Sequence, residues 1–203
     1  MKIPSALLID RAEQAIALIL YGLLVQRIWP EDMSAANLAP ALVLVSEGII
    51  VFFLLIRRTT LDISSRPQDW VAALAGTTAP LLVVKSAEPA FLEAGAFVLL
   101  FGMVTQVAAK LSLRRSFGLV AANRGVKTGG AYRYVRHPMY LGYMISHIGF
   151  VLLSPTLWNV AVYAVCWACL ILRVAFEERL LSQDAAYQDF KKRVRYRLFP
   201  GVY

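Results

Sequence analysis

Apolar residues run in long stretches along this chain, separated by short segments that collect charge, glycine or proline. A helix that crosses a bilayer needs about 20 mostly apolar residues, with a range of about 17–25. Four stretches approach that length. Glu13 to Trp29 is stopped by Pro30, and Leu38 to Ile56 ends at Arg57-Arg58. Trp70 to Val84 is short and contains Gly76, Thr77, Thr78 and Pro80, so a full crossing there is left open. Phe91 to Ala109 ends at Lys110. The last apolar run, Met139 to Phe176, is too long for one crossing, and Ser154-Pro155-Thr156 near its middle marks a helix break. It reads as a helical hairpin. The expected fold is an all-α polytopic membrane protein with five transmembrane segments, the last two forming the hairpin. The first stretch is not expected to be a secretory signal: no small-residue cleavage site follows, and Arg27 and Trp29 read as interfacial anchors.

Composition supports the membrane reading. Of 203 residues, 59% are apolar and 17% charged, with mean hydropathy +0.59. An ordinary soluble domain is about 45–50% apolar and about 25% charged. A disordered chain, a secreted disulfide scaffold and a free cytosolic enzyme are excluded on that ground. Cys166 and Cys169 lie three apart inside an apolar run and read as packing, with no further Cys or nearby His to complete a metal site.

Charge then orients the chain. Lys plus Arg exceed Asp plus Glu by 21 to 13. Residues 1–109 hold seven basic and nine acidic side chains, whereas residues 110–203 hold fourteen basic and four acidic. In a soluble protein such a basic half suggests nucleic acid; in a membrane protein it marks cytoplasmic loops, and no nucleic-acid partner is expected. Glu31 and Asp32 occupy the first connection, Arg57, Arg58 and Arg66 the second, Lys85 and Glu88 the third. The fourth, residues 110–136, has seven basic residues and no acid. This alternation puts both termini in the cytoplasm. Residues 1–109 are then the N-terminal membrane part, and residues 110–203 the loop, hairpin and tail where chemistry is expected.

Within that half, Arg136-His137-Pro138-Met139-Tyr140-Leu141-Gly142 has Pro suited to a first helical turn and His137 at the cap, beside the positive end of the helix dipole. Such an end favours carboxylate or phosphate. Tyr140, Tyr143 and His147 follow on one face, either as site residues or as an interfacial belt. At the far end of the hairpin Arg173 and Glu177 are four apart and suited to pair, with Glu178 beside them. Adjacent carboxylates at a membrane boundary are costly unless paired or hydrated. The tail, Tyr187 through Pro200, interleaves aromatic and basic residues, as a membrane-surface helix on anionic lipid or as a cover over an anionic ligand. Glu47, in the middle of the second stretch, is expected to hydrogen-bond a polar partner such as Gln106 or Thr105.

The run Gly129 to Gly142, with Glu177-Glu178, Leu181, Tyr187 and Arg195 through Pro200, resembles the isoprenylcysteine carboxyl methyltransferase family, part of the broader group of phospholipid methyltransferases. The resemblance covers roughly residues 110–200. It implies S-adenosylmethionine chemistry in a cytoplasmic cofactor pocket without a Rossmann fold, and no G-x-G-x-x-G follows a strand here. By that likeness His137, Tyr140 and Leu141 contact the cofactor. Glu178, Tyr187, Arg195 and Arg197 close the pocket, and a lipophilic or prenylated substrate enters from the bilayer. Arg173 is the candidate to orient a substrate carboxylate, with Glu177 or Glu178 fixing it or binding the cofactor amino group; Tyr143 and His147 are candidate substrate contacts. No metal is expected. A phospholipid amine as acceptor, an NADPH-dependent sterol-reductase-like enzyme and a non-catalytic membrane subunit are the alternatives. The membrane would be the cell membrane in a bacterium and the endoplasmic reticulum in a eukaryote.

Overall fold

The computed structural model describes residues 4–29 and 38–202. It is helical, with one isolated antiparallel bridge, Ile63 to Ala122, among the described residues. Six long helices run up and down: α1 Ser5–Ile28, α2 Leu38–Leu55, α3 Pro67–Thr78, α4 Leu92–Leu113, α5 Pro138–Leu153 and α6 Leu157–Leu181. A 3-10 turn, Ala79–Leu82, extends α3 through Pro80. A short α7, Ala185–Arg193, follows. The expected hairpin is α5 and α6. Its turn sits at Ser154-Pro155-Thr156, where the Thr156 hydroxyl accepts from the Asn159 backbone N–H at 3.1 Å and caps α6. Glu31 and Asp32, and the side chain of Arg27, lie outside the described residues.

Among the described residues two segments, Leu92–Ser116 and Leu157–Leu181, are long and apolar enough to cross a membrane, their most apolar 18-residue stretches averaging hydropathies of 1.7 and 1.9. Leu44–Leu55 and Pro138–Leu153 are shorter apolar helices. The outer surface of the bundle is greasy: Leu23, Val45, Phe97, Val104, Val165 and Leu172 are all exposed. Asp10, Glu13, Glu47, Lys110 and Arg173 are buried instead. Contiguous apolar surface outside and charge within is the arrangement that lipid favours and water does not.

Polar contacts gather at the two ends. At one, the α2–α3 connection lies along the segment after α4: Arg58 N–H donates to Arg115 O, Ser64 N–H to Ala121 O and Asn123 N–H to Asp62 O. The start of α1, the end of α6 and the tail join them there. At the other end, Asn159 bonds the main chain of Val84 and Ser154, and Ala90 and Phe91 bond the end of α5. α3 therefore reaches from one end of the bundle to the other like its neighbours, and the six helices bring α1's first turns and the tail to one end.

The closest helix pair is α4 on α5. Gly95 and Gly102 of α4 face Gly142 and Gly149 of α5, each pair seven residues apart and so on one face. A Cβ on Gly102 would stand 2.4 Å from the Ser146 backbone nitrogen, and one on Gly149 would stand 2.3 Å from that of Leu99. Small residues let membrane helices pack backbone to backbone, where dispersion and interhelical hydrogen bonds supply what hydrophobic burial cannot. Gln106 of α4 donates to the Ser146 hydroxyl of α5 at 2.7 Å across this seam.

Gln106 is thus committed to α5, and Thr105 bonds its own helix at Phe101 O. Glu47 takes neither. Its partner is Lys110, with Nζ to Oε1 at 2.9 Å, and Lys110 also donates to the Ser46 hydroxyl. The reason is charge: an ammonium neutralises a buried carboxylate, whereas an amide or hydroxyl does not. α1 likewise starts two turns before the expected Glu13, because Asp10 and Glu13 have cationic partners that let them enter the bundle.

Gly149→Val should force α4 and α5 apart and lower the melting temperature in detergent by the equivalent of about 1–3 kcal/mol. Gly22→Val, where an added Cβ meets nothing within 4 Å, should change it much less. Equal melting of the two variants would show that the glycine seam does not hold the helices.

Candidate active site

The polar end holds a cavity built from three pieces of chain. The segment from Gly118 to Lys127 forms one wall, the start of α5 a second, and the end of α6 with α7 the third. Pro138 sits in the first turn of α5, and His137 occupies the N-cap position without making a side-chain cap. Its ring is free to turn toward α6. The Nε2 atom lies 3.3 Å from Glu178 Oε1 and Nδ1 lies 3.6 Å from Glu177 Oε2. The His137 and Tyr140 rings stack with centroids 5.9 Å apart, and the Tyr140 hydroxyl donates to Glu177 Oε1.

Glu178 is the hub. Beyond His137 it accepts from Arg136 Nε at 2.7 Å and from Arg197 Nε at 2.9 Å. Arg136 reaches on to the carbonyls of Val194 and Arg195, at 2.9 and 2.6 Å. The backbone N–H groups of Arg136 and His137 donate to the carbonyls of Tyr196 and Arg197. The tail is therefore strapped across the start of α5 by main chain and charge together. α7 lies beneath it with Tyr187 and Phe190 buried against Tyr132 and Val194, which places three aromatic rings on the cavity wall. Asp184 caps α7 through the Ala186 N–H, and Asn123 donates to the same carboxylate from the loop wall.

Burial alone would disfavour a charged His137. The hydrogen bonds and negative charge of Glu177 and Glu178 outweigh it, and the imidazole is held protonated above its ordinary value of 6.5.

Most of this arrangement, though not Phe190 or the tail from Val194 to Arg197, lies in a part of the chain that is shared with known proteins. Residues 89–188 match the family model described as phospholipid methyltransferase. Over 95 residues the chain is 34% identical to protein-S-isoprenylcysteine O-methyltransferase A of Arabidopsis thaliana, covering 44% of this chain and 48% of that relative. Residues 89–188, just under half of the chain, carry the likeness to the phospholipid methyltransferase family. The chain aligns with about half the length of that relative, and the shared half contains α4, the loop wall, the α5–α6 hairpin and the start of α7.

The residues expected from the sequence are distributed over three layers. His137, Tyr140, Glu177 and Tyr187 line the cavity. Glu178 and Arg197 stand behind them as the clasp. Arg195 is exposed and contributes its carbonyl, not its guanidinium. Leu141 packs on the hydrophobic core and is not part of the cavity wall. Arg173 does not hydrogen-bond Glu177 as its four-residue spacing suggested. Its Nη2 donates to the Leu119 carbonyl at 2.8 Å, its guanidinium carbon lies 5.1 Å from the Tyr140 ring centroid, and its Nε has no partner. The Leu119 carbonyl draws it away because a buried main-chain acceptor otherwise goes unmet. Deeper in the bundle, Tyr143 faces Lys110, whose Nζ is 5.6 Å from the ring centroid. His147 stacks on Tyr163 at 4.2 Å and accepts from Trp167 Nε1 at 3.2 Å, away from the cavity.

Sequence reasoning gave no individual role to Arg136, Tyr132 or the loop wall, and took Phe190 only as one of the aromatics of the tail. Arg136 stood inside the motif itself. The loop wall left only a weak signal, a glycine-containing basic segment.

With His137 raised, the stabilising imidazolium–carboxylate contacts are fully present below about 6.5 and fade as pH rises through the folded-state value. The melting temperature of wild type should exceed that of His137→Gln at pH 6, and the gap should close toward pH 9. A gap that stays constant over that range would mean His137 is neutral in the folded protein.

Proposed function

We propose that this protein is an integral-membrane methyltransferase that moves the methyl group of S-adenosylmethionine to a lipophilic acceptor, with a prenylcysteine-type carboxylate as the favoured acceptor. One observation carries the reading: an aromatic-walled cavity, closed by the Glu178 clasp, lies at the polar end of an apolar bundle, with the buried Arg173 packed against the Tyr140 ring of its wall. The named relative from Arabidopsis thaliana supports the choice of acceptor.

The residues present suit the cofactor. Tyr132, Tyr187 and Phe190 offer faces for a purine. The Tyr187 hydroxyl is buried beside Glu178 without a well-formed hydrogen bond, a polar group available to a ligand. Glu177, on the cavity wall, offers a carboxylate to an amine or to positive charge. S-adenosylmethionine supplies a methyl group that is already electrophilic on its sulfonium.

The chain's own task is then alignment and exclusion of water. A carboxylate acceptor is ionised at neutral pH and needs no general base. Arg173, 7% exposed and with its Nε unmatched, is the group available to orient it. Tyr140 lies between Arg173 and Glu177 and keeps the guanidinium apart from the carboxylate. An amine acceptor would require a proton to be removed, and the positive charge of Arg173 is a poor neighbour for an ammonium. The reading places the cavity and both termini on the cytoplasmic side, where basic loops collect, with six crossings to match.

Detergent-purified protein should gain melting temperature with S-adenosylhomocysteine and not with NADPH, since a ligand that binds the folded state stabilises by mass action. It should then methylate N-acetyl-S-farnesylcysteine in preference to phosphatidylethanolamine. A shift with NADPH alone would point to a reductase, and a shift with neither to a non-catalytic subunit. Arg173→Ala should lower kcat by roughly a hundredfold with cofactor affinity nearly unchanged. Equal losses in both would move Arg173 from acceptor to cofactor.

A further inference from the structure

Glu13 lies in α1, far outside the segment shared with the family, yet its carboxylate ends at the cavity wall. Oε1 accepts the backbone N–H groups of Leu119 and Val120, the latter at 3.2 Å. Oε2 pairs with Arg57 at the end of α2 and with Arg124 of the loop wall, the latter at 3.3 Å. Asp10, one turn earlier, takes Arg124 Nη2 at 2.6 Å and Arg57 Nη2 at 3.1 Å. The four side chains are 0–1% exposed and their charges cancel.

Arg124 reaches this group by crossing Gly118, where a Cβ would stand 2.2 Å from Nη1. Apolar side chains of similar volume often hold helices together as well as buried ion pairs do. What the carboxylate adds is direction, because it fixes the main chain of Leu119 and Val120. Leu119 is also the residue whose carbonyl receives Arg173 Nη2 at 2.8 Å. The path from α1 to the buried arginine is therefore Glu13 to Leu119 N–H, and Leu119 C=O to Arg173.

We propose that Glu13 is a positioning residue: by holding Leu119 it sets the orientation of the Arg173 guanidinium, so that the motif-free N-terminal helices form part of the catalytic apparatus. The catalytic meaning of this rests on the acceptor-orienting role of Arg173 given above; the structural coupling does not.

The test is a double-mutant cycle in the full-length protein, with Glu13→Gln, Glu13→Ala, Arg173→Ala and the corresponding doubles. Glu13→Gln keeps an oxygen for the two N–H groups and loses the charge, so it serves if the alanine variant does not fold. In thermal melts the double variant should lose less than the summed losses of the singles, by about 2 °C or more. The cycle of Glu13→Gln with Asn159→Ala, at the opposite end of the bundle, should be additive. Additive losses in the Arg173 cycle, or the same shortfall in the Asn159 cycle, would overturn the coupling. In turnover of N-acetyl-S-farnesylcysteine, Glu13→Ala should lower kcat about tenfold with a smaller change in the cofactor KM, and Glu13→Gln, whose weaker neutral acceptor still meets the two N–H groups, should lower it less. Neither should cost anything further in the Arg173→Ala background. An undiminished loss in that background would overturn the positioning role. If wild type methylates neither a prenylcysteine nor phosphatidylethanolamine, the functional reading fails, and the melting cycle still decides the coupling.

Discussion

A single carboxylate, that of Glu178, joins three parts of the chain that are distant in sequence. It receives Arg136 and His137 from the start of α5 and Arg197 from the tail, while its own backbone belongs to α6. A carboxylate removed from water is tolerated only when charge and hydrogen bonds surround it. That requirement forces the hairpin to close, draws the tail over its mouth and seats α7 against Tyr132. The aromatic wall of the cavity is a consequence of where that one group found its partners.

The same rule operates on the N-terminal side. Asp10 and Glu13 enter the bundle because Arg57 and Arg124 meet them, and Glu47 because Lys110 does. These pairs tie α1 and α2 to α4 and to the segment after it. The glycine seam between α4 and α5 works differently: it has no charge to satisfy and depends on backbone proximity and on the hydrogen bonds that Gln106 makes across it. Together they leave a framework whose outer face is apolar and whose polar end is stiffened by charge.

Much of this was legible in the residues. Long apolar runs, the break at Pro155, the Pro138 helix start with His137 at its cap, and the juxtaposition of His137 with Glu177 and Glu178 follow from hydropathy, proline chemistry and the geometry of a hairpin whose ends must meet. Local and near-local rules govern all of them, so a linear reading suffices. The arginine–histidine–proline segment and the double glutamate likewise pointed to the family on which the comparisons then agreed.

The partners of buried charges were not legible. The spacing of Arg173 and Glu177 pointed to each other, and the Leu119 carbonyl claimed the arginine. Glu47 had plausible amide and hydroxyl partners, and Lys110 took it. Asp10 and Glu13 looked like residues outside or at the edge of a span, and they became its interior. Each outcome compares partners supplied by helices dozens of residues apart, and the winner depends on which groups the packed bundle brings within about 3 Å. Sequence alone determined which stretches are helical, though not where α1 begins, and which residues needed satisfying. The tertiary structure decided which of them satisfied each other, because charge buried away from water is settled by proximity in space and not by position along the chain.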